Sequence, residues 1–286
     1  MTRQEFSDSF DTLLNSYASQ AQFGDEAAKS EIVLDEYEKS VLLTQAQDII
    51  IKSFFDRKQN NVGEGFDDST RRQVDFSSLI VTASLSAAGS QNSAFDDRGI
   101  IYKMPLRKYP VEVPAQGEEG EEGYVSAHTE WQEKDGTTDV LFILNEKLET
   151  TIGNIKKSYV VVPINYREYD REMTKAYAQP LKKQAWRLFQ NSTQGFDIQS
   201  ELIPRWNLTD NETISKYKVR YIRRPCPIVL VDLPNELEID GFTKAQDCEL
   251  NPILHPEILQ KALEIAISTR GGAASVSRNN KESVQS

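Results

Sequence analysis

The sequence predicts an α+β fold, with helices at both ends of the chain and a strand-rich body between them. Over residues 3–21 and 36–55, apolar residues recur at steps of three and four, the spacing of one helix face. Between residues 79 and 231 the pattern turns to short, loosely alternating runs separated by turn residues. Because helical and strand patterns are segregated along the chain, we expect α+β rather than alternating α/β.

The N-terminal helical region, residues 1–80, is predicted to hold two helices and a third short one from Thr70 to about Ile80. Asp35 can cap the second helix by accepting from a free backbone N–H. The apolar stripe of that helix is wider than one neighbour needs. We expect its stripe residues to be buried, in the core or between subunits: Tyr37, Leu42, Ile49 and Phe54.

The strand-rich body is predicted at residues 81–250. Its segment Tyr109–Pro114 carries two prolines, which favours an arm or an edge, so we place an arm or loop near 105–123, including the acidic stretch Gly117–Gly123. Asp135-Gly136 lies between two strand-like runs and predicts a hairpin. A helix is predicted at 165–176. Further strands are predicted at 158–163, 184–190, 196–203, 216–224 and 226–231.

A C-terminal helix is predicted at residues 251–270. Pro256 fits its first turn, where no backbone N–H is needed, and apolar residues follow at helical steps. Gly271-Gly272 is predicted to end it. Residues 271–286 are small and polar, which predicts a disordered tail.

Charge is unevenly spread along the chain. The formal net charge is −11; the first 150 residues hold 28 acidic and 14 basic residues, and the remainder hold 16 and 19. An acidic balance argues against a protein that grips duplex DNA through clustered Lys and Arg. Two interpretations stay open: head-to-tail packing of an acidic face on a basic one, or simply uneven solvated charge.

Targeting and redox patterns indicate a protein made in a cytoplasm. The first residues lack the basic-then-apolar pattern of a signal peptide, and no apolar run is long enough to span a membrane. Cys226 and Cys248 are the only cysteines and form no Cys-x-x-Cys pair, which argues against a disulfide framework or structural zinc.

Motifs for catalysis are absent from the sequence. His128 and His255 are the only histidines, and neither has another at metal-ligand spacing. The nucleophile-elbow, phosphate-loop and dinucleotide-binding patterns do not occur. Adjacent carboxylates are expected by chance among 44 acidic residues. We therefore expect no catalytic residue, no cofactor and no metal.

The basic, aromatic run Lys216–Arg224 is the strongest candidate for binding. Its Tyr and Arg residues could stack nucleic-acid bases and neutralise phosphates, anchor a protein interface, or simply protect an edge strand by charge. We place the interface first and expect four residues to contact neighbouring chains: Tyr217, Arg220, Tyr221 and Arg223.

Three segments in order carry a resemblance to a family: Leu34–Gln47, Val219–Leu230 and Cys248–Leu259. With them the chain resembles virion structural proteins of crAss-like phages, tailed phages that infect gut Bacteroidales bacteria. The resemblance extends from about residue 1 to residue 270 and is weakest over about 85–150.

The resemblance implies a structural ring subunit of the connector between the capsid portal and the tail. Such rings are commonly twelvefold. The implied partners are identical copies, the portal and other ring or tail proteins, with DNA only passing through the lumen and no membrane. The implied place is the virion, assembled in the host cytoplasm. Two alternatives stay open: a nucleic-acid-binding phage accessory protein using Lys216–Arg224, and a hydrolase with a carboxylate-held metal.

Overall fold

The structure is a computed structural model that describes residues 1–21, 34–54, 70–86, 91–92, 99–115, 126, 128–175, 180–181, 183–191, 198–204, 212–234 and 236–282. It divides into two compact units. Met1–Ser78 and Pro225–Ser286 form the helical unit, and Leu79–Arg224 form the sheet unit. The predicted acidic stretch Gly117–Gly123 lies outside the described residues.

Helices lie at Arg3–Ala21 (α1), Glu36–Ser53 (α2), Thr70–Asp75 (α3), Tyr166–Met173 (α4) and His255–Glu282 (α5), with a short 3-10 turn at Pro252–Leu254. Strands lie at Ile80–Ser86 (β1), Gln91–Asn92 (β2), Ile100–Lys103 (β3), Leu106–Val113 (β4), His128–Thr138 (β5), Val140–Ile152 (β6), Ile155–Pro163 (β7), Gln184–Asn191 (β8), Ile198–Pro204 (β9) and Glu212–Arg223 (β10). The predicted α+β class is confirmed.

The helical unit is built on apolar faces of α1, α2 and α5. Phe6, Phe10 and Leu14 of α1 are buried at the helical spacing that the sequence predicts. Asp35 caps α2 in a full capping box, its carboxylate accepting from the Glu38 N–H. α2 packs against α5, which continues through Gly271-Gly272 to Glu282 rather than ending there.

Continuation of α5 has a simple energetic explanation. The two glycines cost the helix interior about 2 kcal/mol together, and the residues beyond them, beginning with Ala273-Ala274, extend an existing helix and need no new nucleation. Residues 271–282 are thus helical where the sequence predicted a disordered tail. Residues 283–286 lie outside the described part of the chain.

The segment that follows the sheet unit returns to the helical unit, so Pro225–Leu250 are not part of the strand-rich body predicted at 81–250. The strand predicted at 226–231 is wrong: Val229 makes only an isolated bridge to Gln246. Residues 225–230 are buried, and polar side chains of α2 bind their backbone in place of a neighbouring strand.

The sheet unit contains an eight-stranded sheet in the order β1-β10-β6-β7-β8-β9-β3-β2. All its neighbours are antiparallel except β7 and β8. A separate two-stranded ribbon pairs β4 with β5. Tyr109–Pro114 therefore belongs largely to an edge strand, as its prolines predict.

The hairpin predicted at Asp135-Gly136 is wrong, because β5 runs through both residues. They lie in a register shift between the pairs that Glu133 and Thr138 make with β4. A tight hairpin joins β6 to β7, where Ile152 is opposite Ile155. Its loop is Gly153-Asn154, and Gly153 has a φ of 56°, which a residue with a Cβ adopts only with strain. A glycine at the first loop position is the type II′ preference.

Candidate assembly surfaces

Strand β10 carries the four interface residues predicted from the Lys216–Arg224 run. Because side chains alternate across a strand, Tyr217, Val219 and Tyr221 face the core while Lys216 and Arg220 are exposed. Arg223 is half-buried. Of the four predicted interface residues, Tyr217 and Tyr221 therefore lie inside the subunit. Arg220 lies at the surface, where a neighbouring chain could contact it.

The Tyr217 hydroxyl donates to the Glu146 carboxylate, which also accepts from Arg187 Nε at 2.9 Å. All three residues are buried. Burial raises the pKa of Glu146, although Arg187 and Tyr217 oppose that shift. Burial and the neighbouring Glu146 carboxylate raise the pKa of Tyr217, so its hydroxyl stays protonated. The cluster serves packing inside the sheet unit.

Tyr221 is enclosed in the same way. Its hydroxyl donates to Asp139 at 3.2 Å, and burial raises its pKa. With both rings inside the subunit, β10 presents no aromatic face on which bases could stack. In the nucleic-acid interpretation of the Lys216–Arg224 run, the tyrosines would stack on bases, and this is not possible while both rings are buried. The basic side chains of the run remain at the surface.

Exposed lysines line the outer face of the sheet where β10, β6 and β7 adjoin. Lys218 is opposite Lys147, Lys216 is opposite Glu149, and Thr151 is opposite Lys156. Lys218 pairs with Glu149 at 2.6 Å, and that bond, with Lys156 and Lys216 nearby, lowers the pKa of Glu149. We call Lys147, Lys156, Lys216, Lys218 and Arg220 the basic sheet face.

Helix α2 presents the other predicted interface set. Tyr37, Leu42 and Phe54 are half-buried, and Ile49 is 41% exposed. The core face of α2 is rotated from the predicted stripe, since its buried apolar residues are Leu43, Ala46, Ile50 and Ile51. Phe54 packs on the ring of Phe76 at 5.0 Å. The predicted stripe thus forms the border of the core and reaches the surface at Ile49.

The β4–β5 ribbon carries an exposed aromatic residue that the sequence analysis did not single out. Trp131 is 51% exposed and lies opposite Pro110, and Val111 is also exposed. Two-stranded ribbons are marginally stable alone, and Trp is the residue most enriched at energetically dominant interface positions. A large aromatic residue in a strand that pairs with the proline-containing segment Tyr109–Pro114 could have indicated this exposed position.

The two histidines are held by hydrogen bonds, and the two cysteines are buried or half-buried. The His255 ring lies between the Met1 amino group, 2.7 Å from Nδ1, and the Leu250 carbonyl, 3.0 Å from Nε2. His128 is exposed and bonds the Ser126 carbonyl. Cys226 is buried, and burial raises the pKa of Cys248 to about 11, which disfavours a reactive thiolate.

Among the described residues, no three His, Cys, Asp or Glu side chains form a cluster that could hold a metal ion. Among the helices in that same part of the chain, none is both long and apolar enough to cross a membrane.

Comparison with known proteins gives the family. A model of the phage tail ring protein 3/4 family matches residues 1–112 and 119–278. The chain is 37% identical to "Ring protein 4/5" of Bacteroides phage crAss001 over 270 residues, 93% of this chain and 92% of that protein. It is 29% identical to "Ring protein 3" of the same phage over 270 residues, 94% of this chain and 96% of that protein. These matches confirm the resemblance to crAss-like phage ring proteins. The chain belongs to the phage tail ring protein 3/4 family.

Proposed function

We propose that this protein is a non-enzymatic subunit that closes with identical copies into a twelvefold ring of the connector between portal and tail. The observation that carries the proposal is the set of large apolar side chains left uncovered on one copy. Ile49 on α2 and Trp131 on the β4–β5 ribbon are each about half exposed. Identical neighbours in a closed ring would cover such positions without leaving an open end.

The ribbon supports a role as an arm that reaches a neighbouring subunit. Among the described strands, β4 and β5 pair only with each other, and both faces of the ribbon carry exposed residues, including Trp131. A ribbon of this kind gains stability when another chain packs on it, because two strands alone bury little apolar surface. We place its partner in an adjacent subunit or an adjoining ring.

The non-enzymatic part of the proposal is supported by how the buried polar groups are used. Arg187 and Tyr217 both bond Glu146, so this ionisable cluster holds the sheet together rather than lining a cleft. Polar side chains of α2 are likewise engaged by the backbone of the segment after β10. These groups are saturated by partners within one copy.

The charge of the chain supports a lumen through which DNA passes. A net charge of −11 repels phosphates over a Debye length of about 10 Å at moderate salt, which favours sliding over adhesion. The relatives named ring proteins support a place in the virion beside other ring proteins, and we propose the portal as a further neighbour. We propose assembly in the host cytoplasm, where the phage head and tail meet.

Electron cryomicroscopy of virions tests the proposal. We expect density for this chain as a closed ring between portal and tail, with Ile49 and Trp131 covered by neighbouring chains. A ring of another copy number would revise only the stoichiometry. Single copies per particle, or a chain that bears both residues on bulk solvent, would overturn the proposal.

A further inference from the structure

The two units differ in charge, and the division is sharper than that between the two parts of the sequence. The helical unit holds 24 acidic and 13 basic residues, a net charge of −11, whereas the sheet unit holds 20 of each. The entire excess of negative charge thus belongs to the helical unit. The sheet unit is neutral, and its basic sheet face is one region where positive charge is concentrated.

The basic sheet face is unfavourable in an isolated subunit. Lys218 and Lys147 lie directly opposite each other on neighbouring strands, an arrangement of like charges that destabilises a sheet. Of the side chains described on this face, Glu149 is the one that offers an opposite charge to the lysines around it. Lys147, Lys156 and Lys216 are all exposed. A face of this kind is relieved when an acidic surface approaches it.

An apolar residue lies within the basic sheet face. Val160 on β7 is 58% exposed and is opposite Lys147 in the register. Protein–protein interfaces combine an apolar centre with a charged rim, whereas nucleic-acid contacts are made mainly by cations and stacking aromatic rings. The absence of an exposed aromatic ring on β10, whose tyrosines are buried, favours a protein as the occupant.

A matching surface is found in the helical unit of the same chain. The segment after Leu230 exposes an acidic series together with the apolar side chains of Val231 and Leu237. Its charged residues between 231 and 247 are Asp232, Glu236, Glu238, Asp240 and Asp247, with Lys244 the single basic one. Acidic charge and exposed apolar area thus complement the lysines and Val160 of the sheet.

We propose that the basic sheet face of one copy docks on the acidic 231–247 segment of the next copy around the ring. This inference rests on the proposed ring and names the surfaces that join its subunits. A contact between two different surfaces is heterologous, the kind that generates a closed ring when its rotation closes. Charge complementarity of this kind would also set the orientation of incoming subunits and speed their association.

The test uses the full-length protein at about 0.05 M and about 0.5 M salt, followed by sedimentation velocity. Replacing Lys147, Lys156 and Lys216 together by Gln should weaken self-association on the order of tenfold at low salt, since each exposed pair contributes modestly. The matched control replaces Lys103, Lys175 and Lys183 by Gln and removes the same charge elsewhere in the sheet unit. Circular dichroism checks that both variants fold.

Zero-length carbodiimide cross-linking of a mixture of isotopically heavy and light protein identifies the contact directly. We expect heavy–light cross-links from Lys147, Lys156 or Lys216 to carboxylates of residues 232–247. Oligomers that form equally well in both variants, or heavy–light links confined to other segments, would overturn the docking inference without contradicting the proposed ring.

Two further outcomes separate this inference from the proposed function. A wild-type chain that stays monomeric at about 0.1 mM, or one whose lysine face retains duplex DNA in a salt-titrated filter assay without any heavy–light link, overturns the docking inference. The ring itself is abandoned if particle micrographs show this chain as isolated copies, or with both Ile49 and Trp131 on bulk solvent.

Discussion

The side-chain amide of Gln47 donates a 2.9 Å hydrogen bond to the backbone carbonyl of Cys226. Thr44 and Ser40 lie about one and two turns earlier on α2 and accept from the backbone N–H groups of Ile228 and Leu230. Side chains of α2 thereby make hydrogen bonds with the backbone of a buried segment that belongs to none of the described strands. Because an unpaired buried peptide group costs about 1–3 kcal/mol, these three side chains are central to the helical unit.

Gln47→Ala is therefore expected to lower the free energy of unfolding by about 2 kcal/mol, since it removes the amide that donates to the buried Cys226 carbonyl. Urea unfolding followed by circular dichroism measures the change. Gln45→Ala on the same helix is the matched control, because Gln45 is exposed, and it should change stability by less than about 0.5 kcal/mol. Equal effects of the two substitutions would contradict this account.

The buried pair of Glu146 and Arg187 gives a second prediction. Arg187→Met leaves the Glu146 carboxylate buried without its cation, which should destabilise the sheet unit by about 3–5 kcal/mol. Adding Glu146→Gln to the same chain should restore much of that loss, because no unpaired charge remains. Denaturant unfolding of the single and double variants measures both the loss of stability and its recovery.

The pH dependence of the Arg187→Met loss is a sharper measure. Glu146 has a raised pKa in the folded protein, so the native state binds its proton more readily than the unfolded state. Stability attributable to this group is present at low pH and falls as pH rises through the raised pKa. The loss caused by Arg187→Met should thus be smaller near pH 4 than near pH 8. A loss independent of pH would argue that Glu146 is not charged.

Sequence periodicity predicted the helices and the fold class well because amphipathic spacing is a local property. It failed where a partner distant in the chain decides the outcome. Residues 226–231 have a strand-like pattern, but Ser40, Thr44 and Gln47 of α2 take the place of a neighbouring strand. Polar residues of that kind appear in the sequence only as interruptions of an apolar stripe.

The faces of β10 were predicted only in part, because strand neighbours distant in the chain decide which face is buried. Alternation along β10 indicated two faces, but the sequence does not say which face the sheet buries. Strand register places Tyr217 opposite Leu148 in the core and Lys218 opposite Lys147 outside it. Asp135-Gly136 has the residues of a tight turn, yet β5 pairs with β4 on both sides of it, at Glu133 and at Thr138. The dipeptide therefore lies in a register shift within β5, and Gly153-Asn154 forms a tight turn instead.

The two histidines should titrate on opposite sides of the ordinary value of about 6.5. Burial lowers the pKa of His255, whereas the Ser126 carbonyl and the Glu130 carboxylate raise that of His128. Nuclear magnetic resonance of the ring protons measures both in one sample, and His255→Gln assigns the signals.

Stability follows from the direction of the His255 shift. Because its folded pKa is lowered, the unfolded state binds more protons below about pH 6.5, and the free energy of unfolding should fall as pH decreases from there. His255→Gln should make this fall shallower. A His255 signal that titrates at or above the ordinary value would show that the ring is solvated rather than held between Met1 and Leu250.

Ile49 and Ile50 are adjacent on α2 and separate assembly from folding. Ile50 is 3% exposed, so Ile50→Ser should lower the free energy of unfolding by about 3 kcal/mol through loss of apolar burial. Ile49 is 41% exposed, so Ile49→Ser should leave the monomer within about 0.5 kcal/mol of wild type. If neighbouring copies cover α2, Ile49→Ser should nevertheless reduce ring formation in electron micrographs. Rings that form normally from a stably folded Ile49→Ser chain would remove α2 from the subunit interface.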